Sequence, residues 1–347
     1  MYRYSIVLVV LAFGLIVAAA GAGPAAASKS SPTSTPTPTA AYTMTDLGSL
    51  GYGVTYGLAI NANGQVTGYS YSSQEFQVTC PPQKYGQPKQ CFEHPYHAFL
   101  YSNGTMTDLG TLGGHFSKGY AINASGEIVG QADTKTVGDA FLWNGMSMAD
   151  IGFWDARGIN DSGEIAGICG NNPGEHACAY NNGTLTELPQ PTWFTPINCG
   201  GGPINKSGEV VGTCDDTNSN THAVLWQNGM PTDLGSQAGN AADINNLGQV
   251  VGNAETSTFA EYGYLWTNGA LTDLGPNFLP AAVNDNGVAV GGEMIYSGGT
   301  LRNLNNLVSP GSGFTLDDAT AINDSGQIVV NGYNAIGQEH AFLLTPR

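Results

Sequence analysis

The sequence predicts an all-β protein, a seven-bladed β-propeller of four-stranded antiparallel blades. Three observations predict it. A short signature recurs seven times, each copy contains four strand-like pieces, and the two ends of the repeat region complement each other. The repeat period lies near 40 residues, which is typical of propeller blades.

The signature is Ile-Asn-x-x-Gly, with Val replacing Ile in the sixth copy. Its asparagines are Asn61, Asn123, Asn160, Asn205, Asn245, Asn284 and Asn323, at spacings of 62, 37, 45, 40, 39 and 39 residues. The long first spacing indicates an insertion, which contains Cys80 and Cys91. Asn and Gly favour tight hairpin turns because both tolerate left-handed backbone conformations. Each signature therefore predicts a hairpin.

Four strand-like pieces make up each copy. The first ends at the signature asparagine, as in Tyr120–Asn123, and the second reads like Glu127–Gly130. The third resembles His97–Tyr101, and the fourth follows an Asn-Gly turn, as in Met106–Gly110. Gly abundance, with 49 residues, and only 11% charged residues also favour strands and turns over helices.

The two ends of the repeat region predict a closed ring. The region opens with a lone fourth strand, Met44–Gly48, and closes with a third strand, His340–Leu344. In a ring the N-terminal strand completes the last blade and removes two exposed sheet edges, which promote aggregation. An open solenoid would need separate capping repeats, and the sequence contains no such segment.

The repeated motifs resemble the family described as "probable extracellular repeat, HAF family", found in secreted bacterial proteins. His97-Ala98-Phe99 and His340-Ala341-Phe342 carry the resemblance, which covers roughly residues 43 to 347. His176-Ala177-Cys178 and Met294-Ile295-Tyr296 depart from the pattern, so the third and sixth blades are expected to be irregular. The resemblance implies export and a repeat architecture, and it brings no established reaction.

The N-terminal segment predicts export to the cell surface, the periplasm or the medium. Arg3, the apolar run Ile6–Ala20 and the small residues Ala25–Ala27 are typical of a signal peptide over residues 1–27. The run is short for a membrane span, which leaves an uncleaved anchor as the alternative. A Ser/Thr/Pro-rich linker follows over 28–41, and the propeller is predicted over 42–347. After cleavage no membrane span is expected.

The charge balance excludes one class of partner. The chain has 10 Lys and Arg against 27 Asp and Glu, a formal charge of -17. Such a surface repels phosphate backbones, so DNA and RNA are not expected partners. Calcium or a cationic ligand is compatible with this charge, and so is a simple role in solubility. The sequence contains no cofactor motif, and we expect no cofactor and a monomer.

Six cysteines predict disulfides in an exported chain. Neighbours in sequence pair as Cys80–Cys91, Cys169–Cys178 and Cys199–Cys214. If a hairpin turns at Asn205–Gly208, two residues face each other when their numbers sum to 413. The numbers of Cys199 and Cys214 have this sum, so the two cysteines should lie opposite each other. Metal ligation is the competing interpretation, but there is no CxxC pair and the recurring histidines fall in different copies. No metal site is predicted.

Residues that recur in every copy are poor catalytic candidates, because a reaction needs one site. We expect a structural role at a turn or a blade contact for the recurring aspartates Asp46, Asp108, Asp150, Asp233 and Asp273. Residues that occur once are better candidates. The loops that lead into the first strands gather at one mouth of the channel, and six of these seven loops carry an aromatic residue.

The predicted ligand-binding residues at this mouth are Tyr52, Tyr56, His115, Phe116, Lys118, Trp154, Arg157, Trp193 and Phe278. Exposed rings suit flat apolar ligand faces, such as those of sugars or peptide side chains. The alternative is that the rings plug the channel or seal blade contacts. Strand periodicity also predicts that Lys118, Asp155, Arg157 and Asp318 meet near the entrance, as a ligand site, a proton-transfer site or a satisfied ion cluster.

The sequence thus favours a secreted, non-catalytic binding or surface-interaction module for a glycan or a protein. The alternative is an extracellular lyase or hydrolase with Asp155 and Asp318 as catalytic residues. A purely structural scaffold is the third hypothesis.

Overall fold

The computed structural model describes residues 40–79, 90–170, 174–235, 239–255 and 261–347. Seven four-stranded antiparallel sheets form a seven-bladed β-propeller, which confirms the predicted fold. The predicted signal peptide, the linker up to residue 39 and Cys80 lie outside the described residues.

The blades are numbered in chain order after the N-terminal strand. The strands before blade 2 are β1 (Tyr42–Asp46), β2 (Gly51–Ile60), β3 (Val66–Ser72), β4 (Phe76–Thr79), β5 (Gln90–Glu93), β6 (Tyr96–Ser102) and β7 (Thr105–Asp108). Blade 1 consists of β2, β3, β6 and β7, while β4 and β5 form a separate hairpin. Blade 2 has β8 (Ser117–Ile122), β9 (Ile128–Asp133), β10 (Gly138–Trp143) and β11 (Met148–Asp150).

The remaining blades follow the same order. Blade 3 has β12 (Asp155–Ile159), β13 (Ile165–Cys169), β14 (His176–Asn181) and β15 (Thr184–Glu187), and blade 4 has β16 (Pro196–Ile204), β17 (Val210–Asp216), β18 (Thr221–Gln227) and β19 (Met230–Asp233). Blade 5 has β20 (Asn240–Ile244), β21 (Val250–Glu255), β22 (Glu261–Thr267) and β23 (Ala270–Pro276), and blade 6 has β24 (Ala282–Val283), β25 (Ala289–Gly291), β26 (Met294–Ser297) and β27 (Thr300–Asn303). Blade 7 has β28 (Phe314–Ile322), β29 (Ile328–Asn334), β30 (Glu339–Pro346) and β1.

The ring closes where β1 adds to blade 7. β1 runs antiparallel to β30, with Tyr42 opposite Pro346 and Asp46 opposite Phe342. The predicted completion of the last blade by the N-terminal strand is confirmed. β1 covers the edge of β30 that an open array would expose.

Apolar contacts between neighbouring blades form the core. The described residues contain seven buried clusters, one at each blade interface. At the closing interface, Val66 and Phe99 of blade 1 pack with Val329 and Leu343 of blade 7. The core is therefore divided among seven contacts, and each blade depends on both neighbours for burial.

A recurring glycine allows the first strand to press against the second. A Cβ atom at Gly130 would lie 1.9 Å from the carbonyl oxygen of Lys118, and one at Gly212 would lie 1.9 Å from that of Gly200. In blades 1 to 6, a Cβ atom at the equivalent glycine would lie 1.8–2.0 Å from a carbonyl oxygen of the first strand or of the segment just before it. In blade 7, Val330 occupies this position. A side chain would force these strands apart in the first six blades, which explains the recurring glycine of the second strand.

Two of the three predicted disulfides lie within the described residues and are confirmed. Cys199 and Cys214 are bonded and stand opposite each other in β16 and β17, as the turn position predicts. Cys169 and Cys178 are also bonded. The departures in the repeat have different consequences: blade 3 is a complete sheet, whereas blade 6 has inner strands of only two and three residues.

Helical structure is minimal in the part of the chain that the structure describes. It is confined there to a 3-10 turn, Leu304–Asn306. None of the described segments forms a helix with the length and apolar character required to cross a membrane.

Candidate functional site

The first strands of all seven blades surround a central channel with a cavity of about 420 Å³. The lining comes from the last residues of these strands and from the turns that follow. The channel therefore has a turn end, where each first strand finishes, and a mouth, where each first strand begins. The predicted aromatic loops belong to the mouth.

A ring of asparagines surrounds the turn end. Each signature asparagine donates a hydrogen bond from Nδ2 to the backbone carbonyl of the equivalent asparagine in the next blade. The seven distances, from the Asn61–Asn123 pair round to the Asn323–Asn61 pair, are 2.9, 3.3, 3.1, 3.1, 2.9, 3.0 and 3.1 Å. The last bond crosses the closing interface. All seven side chains are buried.

Bonds within each blade satisfy the rest of the asparagine side chain. Asn160 shows the pattern: Oδ1 accepts from the N–H groups of Ser162 and Glu164, each at 3.0 Å. Its Nδ2 also donates to Oε2 of Glu164 at 2.8 Å. An amide has two donors and one acceptor oxygen, so this side chain has little left to offer a ligand. We conclude that the asparagine ring holds the blades together.

Sequence reasoning assigned these asparagines to the hairpin turn alone. It missed the inter-blade bond because each acceptor lies 37 to 62 residues away in sequence, or 262 at the closing interface. Recurrence in all seven copies, together with a residue type that carries two donors, was the available signal.

A β-bulge places one residue of most first strands without a partner in the neighbouring strand. The register of the first and second strands shifts around Leu58, Tyr120, Arg157, the pair Gly202–Pro203, Ala242 and Thr320. Ala281 occupies the equivalent position in blade 6. A bulge redirects a side chain and frees it from the pairing pattern. All of these positions except Gly202 contribute to the lining of the channel cavity.

The bulge residues make the channel wall asymmetric. Blades 2 and 3 contribute the large polar side chains of Tyr120 and Arg157, whereas Pro203, Ala242 and Ala281 from blades 4 to 6 are compact. The backbone ring has near sevenfold regularity, but its lining does not. Small side chains on one part of the wall leave space in front of the polar part.

An ion pair orients the arginine on this wall. Arg157 donates from Nε to Oδ2 of Asp155 at 2.9 Å. The Asp155 side chain is only 9% exposed, whereas that of Arg157 is 49% exposed. Among the described residues, Oδ1 of Asp155 is buried without a hydrogen-bond partner. Burial raises the pKa of the Asp155 carboxyl, while Arg157 and then Lys118 oppose this rise.

Lys118 interacts both with Asp155 and with two tyrosines of blade 1. Its Nζ lies 4.7 Å from the ring centre of Tyr69 and 5.3 Å from that of Tyr96, within cation–π range. Burial raises the pKa of Tyr69 to about 12 and that of Tyr120 to about 12. Both phenols therefore keep their O–H donors at physiological pH.

Asp318 occupies a different place from the other three charged residues predicted to meet. It lines a cavity of about 270 Å³ together with Tyr56, Asp317 and Tyr333, and that lining does not include Asp155. Burial raises the pKa of the Asp318 carboxyl, and Asp317 adds to the effect. The structure thus groups Lys118, Asp155 and Arg157 and sets Asp318 beside blade 1.

An extended aromatic cluster lies at the mouth above blades 1 and 2. Its nine rings are Tyr52, Tyr56, Tyr69, Tyr71, Phe76, His94, Tyr96, His115 and Phe116, linked by centroid distances of 3.7–6.4 Å. Phe76 stacks on His115 at 3.9 Å, and His94 stacks on Tyr52 at 3.7 Å. Through these two contacts, the insertion of blade 1 extends the cluster beyond the blade.

Sequence reasoning found four members of the aromatic cluster, Tyr52, Tyr56, His115 and Phe116. It missed the rings on the second and third strands of blade 1 and those of the insertion. A signal was present in β3, where Tyr69 and Tyr71 stand at positions that hold Gln131 and Asp133 in blade 2. Alternation places both tyrosines on one face of the strand.

The other three predicted aromatic residues lie apart from this cluster. Trp154 is 39% exposed and lines a separate cavity of about 590 Å³ with Phe153 and Asp139. Trp193 is 43% exposed and contacts Phe194 at a centroid distance of 5.9 Å. Phe278 is 1% exposed and packs in the core between blades 5 and 6, as the packing alternative expects.

The recurring aspartates bond their own turns, as predicted. Asp46, Asp108, Asp150, Asp233 and Asp273 each accept a hydrogen bond from the N–H group two residues later, at 2.7–2.9 Å. Two of them also contact the recurring histidine: Asp108 meets His97, and Asp46 meets His340, each at 2.9 Å. The second pair links β1 to β30 in blade 7.

Comparison with known proteins adds no family. No protein-family model and no curated protein matches this chain. Among solved structures, a gluconolactonase from Xanthomonas campestris is similar at a TM-score of 0.42 and 9% identity, over 88% of this chain and 90% of that chain. YCF48 from Cyanidioschyzon merolae is similar at 0.44 and 10%, over 88% and 99%. Similarity at this level carries no argument about function.

Proposed function

We propose that this protein is an exported, non-catalytic binding propeller whose ligand is a saccharide held at the mouth above blades 1 and 2. The observation that supports it most strongly is the aromatic cluster. Lys118 lies over two of its rings and also interacts electrostatically with Asp155, the partner of Arg157. Aromatic faces bind the flat C–H faces of sugars, and nearby donors fix the orientation of the hydroxyl groups.

The form of the surface favours a saccharide over a protein partner. Most rings of the aromatic cluster are half-buried, whereas Tyr52 and His115 are exposed. A stable protein interface needs about 800 Å² on each partner. Tyr120, which interacts electrostatically with Tyr96 of the cluster, also lines the channel cavity, whose volume of about 420 Å³ is within the range of small-ligand pockets, about 300–1,000 Å³.

The arrangement of carboxylates favours binding over catalysis. Asp155 is held by Arg157, and Asp318 lines a cavity on blades 1 and 7. A hydrolase or lyase needs an acid and a base that reach the same bond. Replacing Asp318 by asparagine should leave saccharide binding unchanged, and neither Asp155→Asn nor Asp318→Asn should change any background turnover. Loss of a measurable turnover in either variant would instead favour the enzyme hypothesis.

Export is part of the same proposal. Two disulfides suit an oxidising compartment, and proposed membership of the HAF repeat family agrees with this location. Fractionation of cells that express the full chain should find the protein in the periplasm, on the surface or in the medium. Recovery of the bulk of the folded protein with reduced cysteines in the cytoplasm would contradict it.

The binding proposal is tested by screening the propeller on a saccharide array and measuring the hits by calorimetry. Replacing Tyr52 and Tyr96 by alanine should weaken binding by about tenfold or more, since stacking on a ring is worth about 1 kcal/mol each. Tyr96→Phe keeps the ring and should retain most of the affinity.

Trp193→Ala is the matched control, because this ring is similarly exposed and lies in the loop that leads into blade 4. Its affinity should equal that of the wild type. Equal loss in the control and the test variant, or an absence of binding to every neutral and acidic saccharide, would contradict the proposal.

A further inference from the structure

We infer that Lys118 and Arg157 together bind the carboxylate of an acidic sugar residue, with the sugar ring against the aromatic cluster. This inference rests on the proposed saccharide function and specifies its ligand class. It depends on four features: the scarcity of cations, the orientation of Arg157, the position of Lys118 and the space in the channel.

Cations are scarce in this chain, yet two of them lie on adjacent first strands. The described residues contain six, namely Lys118, Lys135, Arg157, Lys206, Arg302 and Arg347. Lys118 lies on β8 and Arg157 on β12, and both interact electrostatically with Asp155. In a chain of net charge -17, this placement gives one region an attraction for anions that its surroundings lack.

Arg157 has a free edge suited to a carboxylate. Asp155 engages only Nε, and among the described residues neither Nη atom has an acceptor. Fixing Nε holds the guanidinium plane, so the Nη pair remains available for two parallel hydrogen bonds. The side chain is half-exposed at a bulge and lines the channel cavity. An anionic group in the channel would therefore find the two Nη donors of Arg157 already oriented for binding.

Lys118 supplies a second donor on the side of the aromatic cluster. Within the described part of the chain, its Nζ contacts only the faces of Tyr69 and Tyr96, with no carboxylate oxygen within 4.0 Å. An ammonium group held over rings retains N–H bonds for a further partner. A carboxylate between Lys118 and Arg157 would place the attached sugar next to these rings.

The channel has room for a sugar residue on the side of Arg157. Arg157 and Tyr120 line the cavity of about 420 Å³, Ala242 and Ala281 keep other parts of its wall small, and this volume is within the range of small-ligand pockets.

The test compares four probes by calorimetry: a galacturonic acid tetrasaccharide, its methyl ester, a galactose tetrasaccharide and inorganic phosphate. We expect the acid to bind at least about tenfold more tightly than the ester or the neutral sugar, with an affinity that falls as salt rises. Arg157→Gln and Lys118→Met should each remove most of this preference. Arg302→Gln, on the outer strand of blade 6, is the control and should retain it.

A second variant guards against an unstable single mutant, because Arg157→Gln leaves Asp155 buried without its cation. The double variant Asp155→Asn/Arg157→Gln removes both charges and should show the same loss of preference with a native thermal transition. Arg157→Lys keeps the charge but not the fork, and it should bind the acid several-fold more weakly than the wild type.

The outcomes separate this inference from the proposed function. Equal binding of acid, ester and neutral sugar, with dependence on Tyr96, overturns the acidic subsite and leaves saccharide binding intact. Phosphate that competes as well as the tetrasaccharide, with dependence on Arg157 and none on Tyr96, overturns the saccharide and retains an anion site. No binding of any probe overturns the acidic subsite, and the proposed function is overturned as well when the saccharide array also shows no binding. An unchanged preference in the double variant also refutes the role assigned to Lys118 and Arg157.

Discussion

The two ends of the channel differ in how regular they are. At the turn end, seven equivalent asparagines bind seven equivalent carbonyls. At the mouth, each blade contributes something different, from the tyrosines of blade 1 to the buried Phe278 that leads into blade 6. Recurring residues thus close the ring, while residues that occur once shape the surface available to a ligand.

The bulge explains how both can occur within one strand. The side chain of Asn160 is fixed by four hydrogen bonds, but three positions earlier the strand pairing is interrupted. A residue without a strand partner can vary without disturbing the sheet. Arg157 lies only three positions before Asn160, yet the two have separate roles.

The largest effect is expected from removing the strand that closes the ring. A truncation lacking residues 1–47 exposes β30 and removes Leu47 from the interface between blades 7 and 1. We expect a loss of more than about 5 kcal/mol, enough to unfold or aggregate most of the chain. Urea unfolding and size-exclusion chromatography measure it. A truncation of residues 1–39 is the control, and equal stability of the two would refute closure by β1.

A smaller loss is expected from breaking the asparagine ring at one position. Asn160→Ala removes four hydrogen bonds and leaves the Asn205 carbonyl without its inter-blade donor. We expect about 3 kcal/mol lower stability, measured by urea unfolding. Asn63→Ala is the graded control, since this exposed residue makes one inter-blade bond at 2.9 Å and should cost less than about 1 kcal/mol. Equal losses would show that the ring has no special role.

A pH dependence of stability is expected from Asp243, which directly follows the bulge position Ala242 in the first strand of blade 5. Asp243 accepts from the N–H of Val283 in the next blade at 2.8 Å, and burial raises its pKa to about 7. A raised folded-state pKa stabilises the fold most below pH about 4, and that stability is lost as pH rises through about 7. Partial contact with water limits the change to about 2 kcal/mol.

Asp243→Asn removes the titration while keeping an oxygen for the Val283 N–H group. Its free energy of unfolding should be flat between pH 4 and pH 7 in the range where the wild type declines. Urea unfolding at several pH values measures both profiles. Parallel profiles for the two proteins would show that Asp243 does not titrate in this range.

The smallest effect is expected at a bulge. Ala242→Ser adds one hydroxyl to a side chain that lines the channel, and it should change stability by less than about 0.5 kcal/mol. Thermal unfolding compares it with Asn245→Ala, three positions later, which should behave like the Asn160 variant. A large loss at Ala242 would show that the bulge positions are as constrained as the asparagine ring.

The fold was predictable because its determinants are local and repeated. Seven hairpin signals, four strands per copy and the mismatched ends were sufficient to predict the ring and the partner of β1. The pairing of Cys199 with Cys214 followed from the position of one turn. The aromatic cluster was only half predictable, because Tyr69 and Tyr96 lie where β3 and β6 extend beyond the repeated motif.

The sequence alone determined the number of blades, the completion of the last blade by the N-terminal strand and the disulfide between β16 and β17. Each of these depends on the order and spacing of segments along the chain. Only the tertiary structure decided which one-off residues meet. It placed Asp155 with Arg157 and Lys118, separated Asp318 from them and buried Phe278. Contacts across blades depend on the bulges and on packing between segments far apart in sequence, and strand periodicity does not encode either.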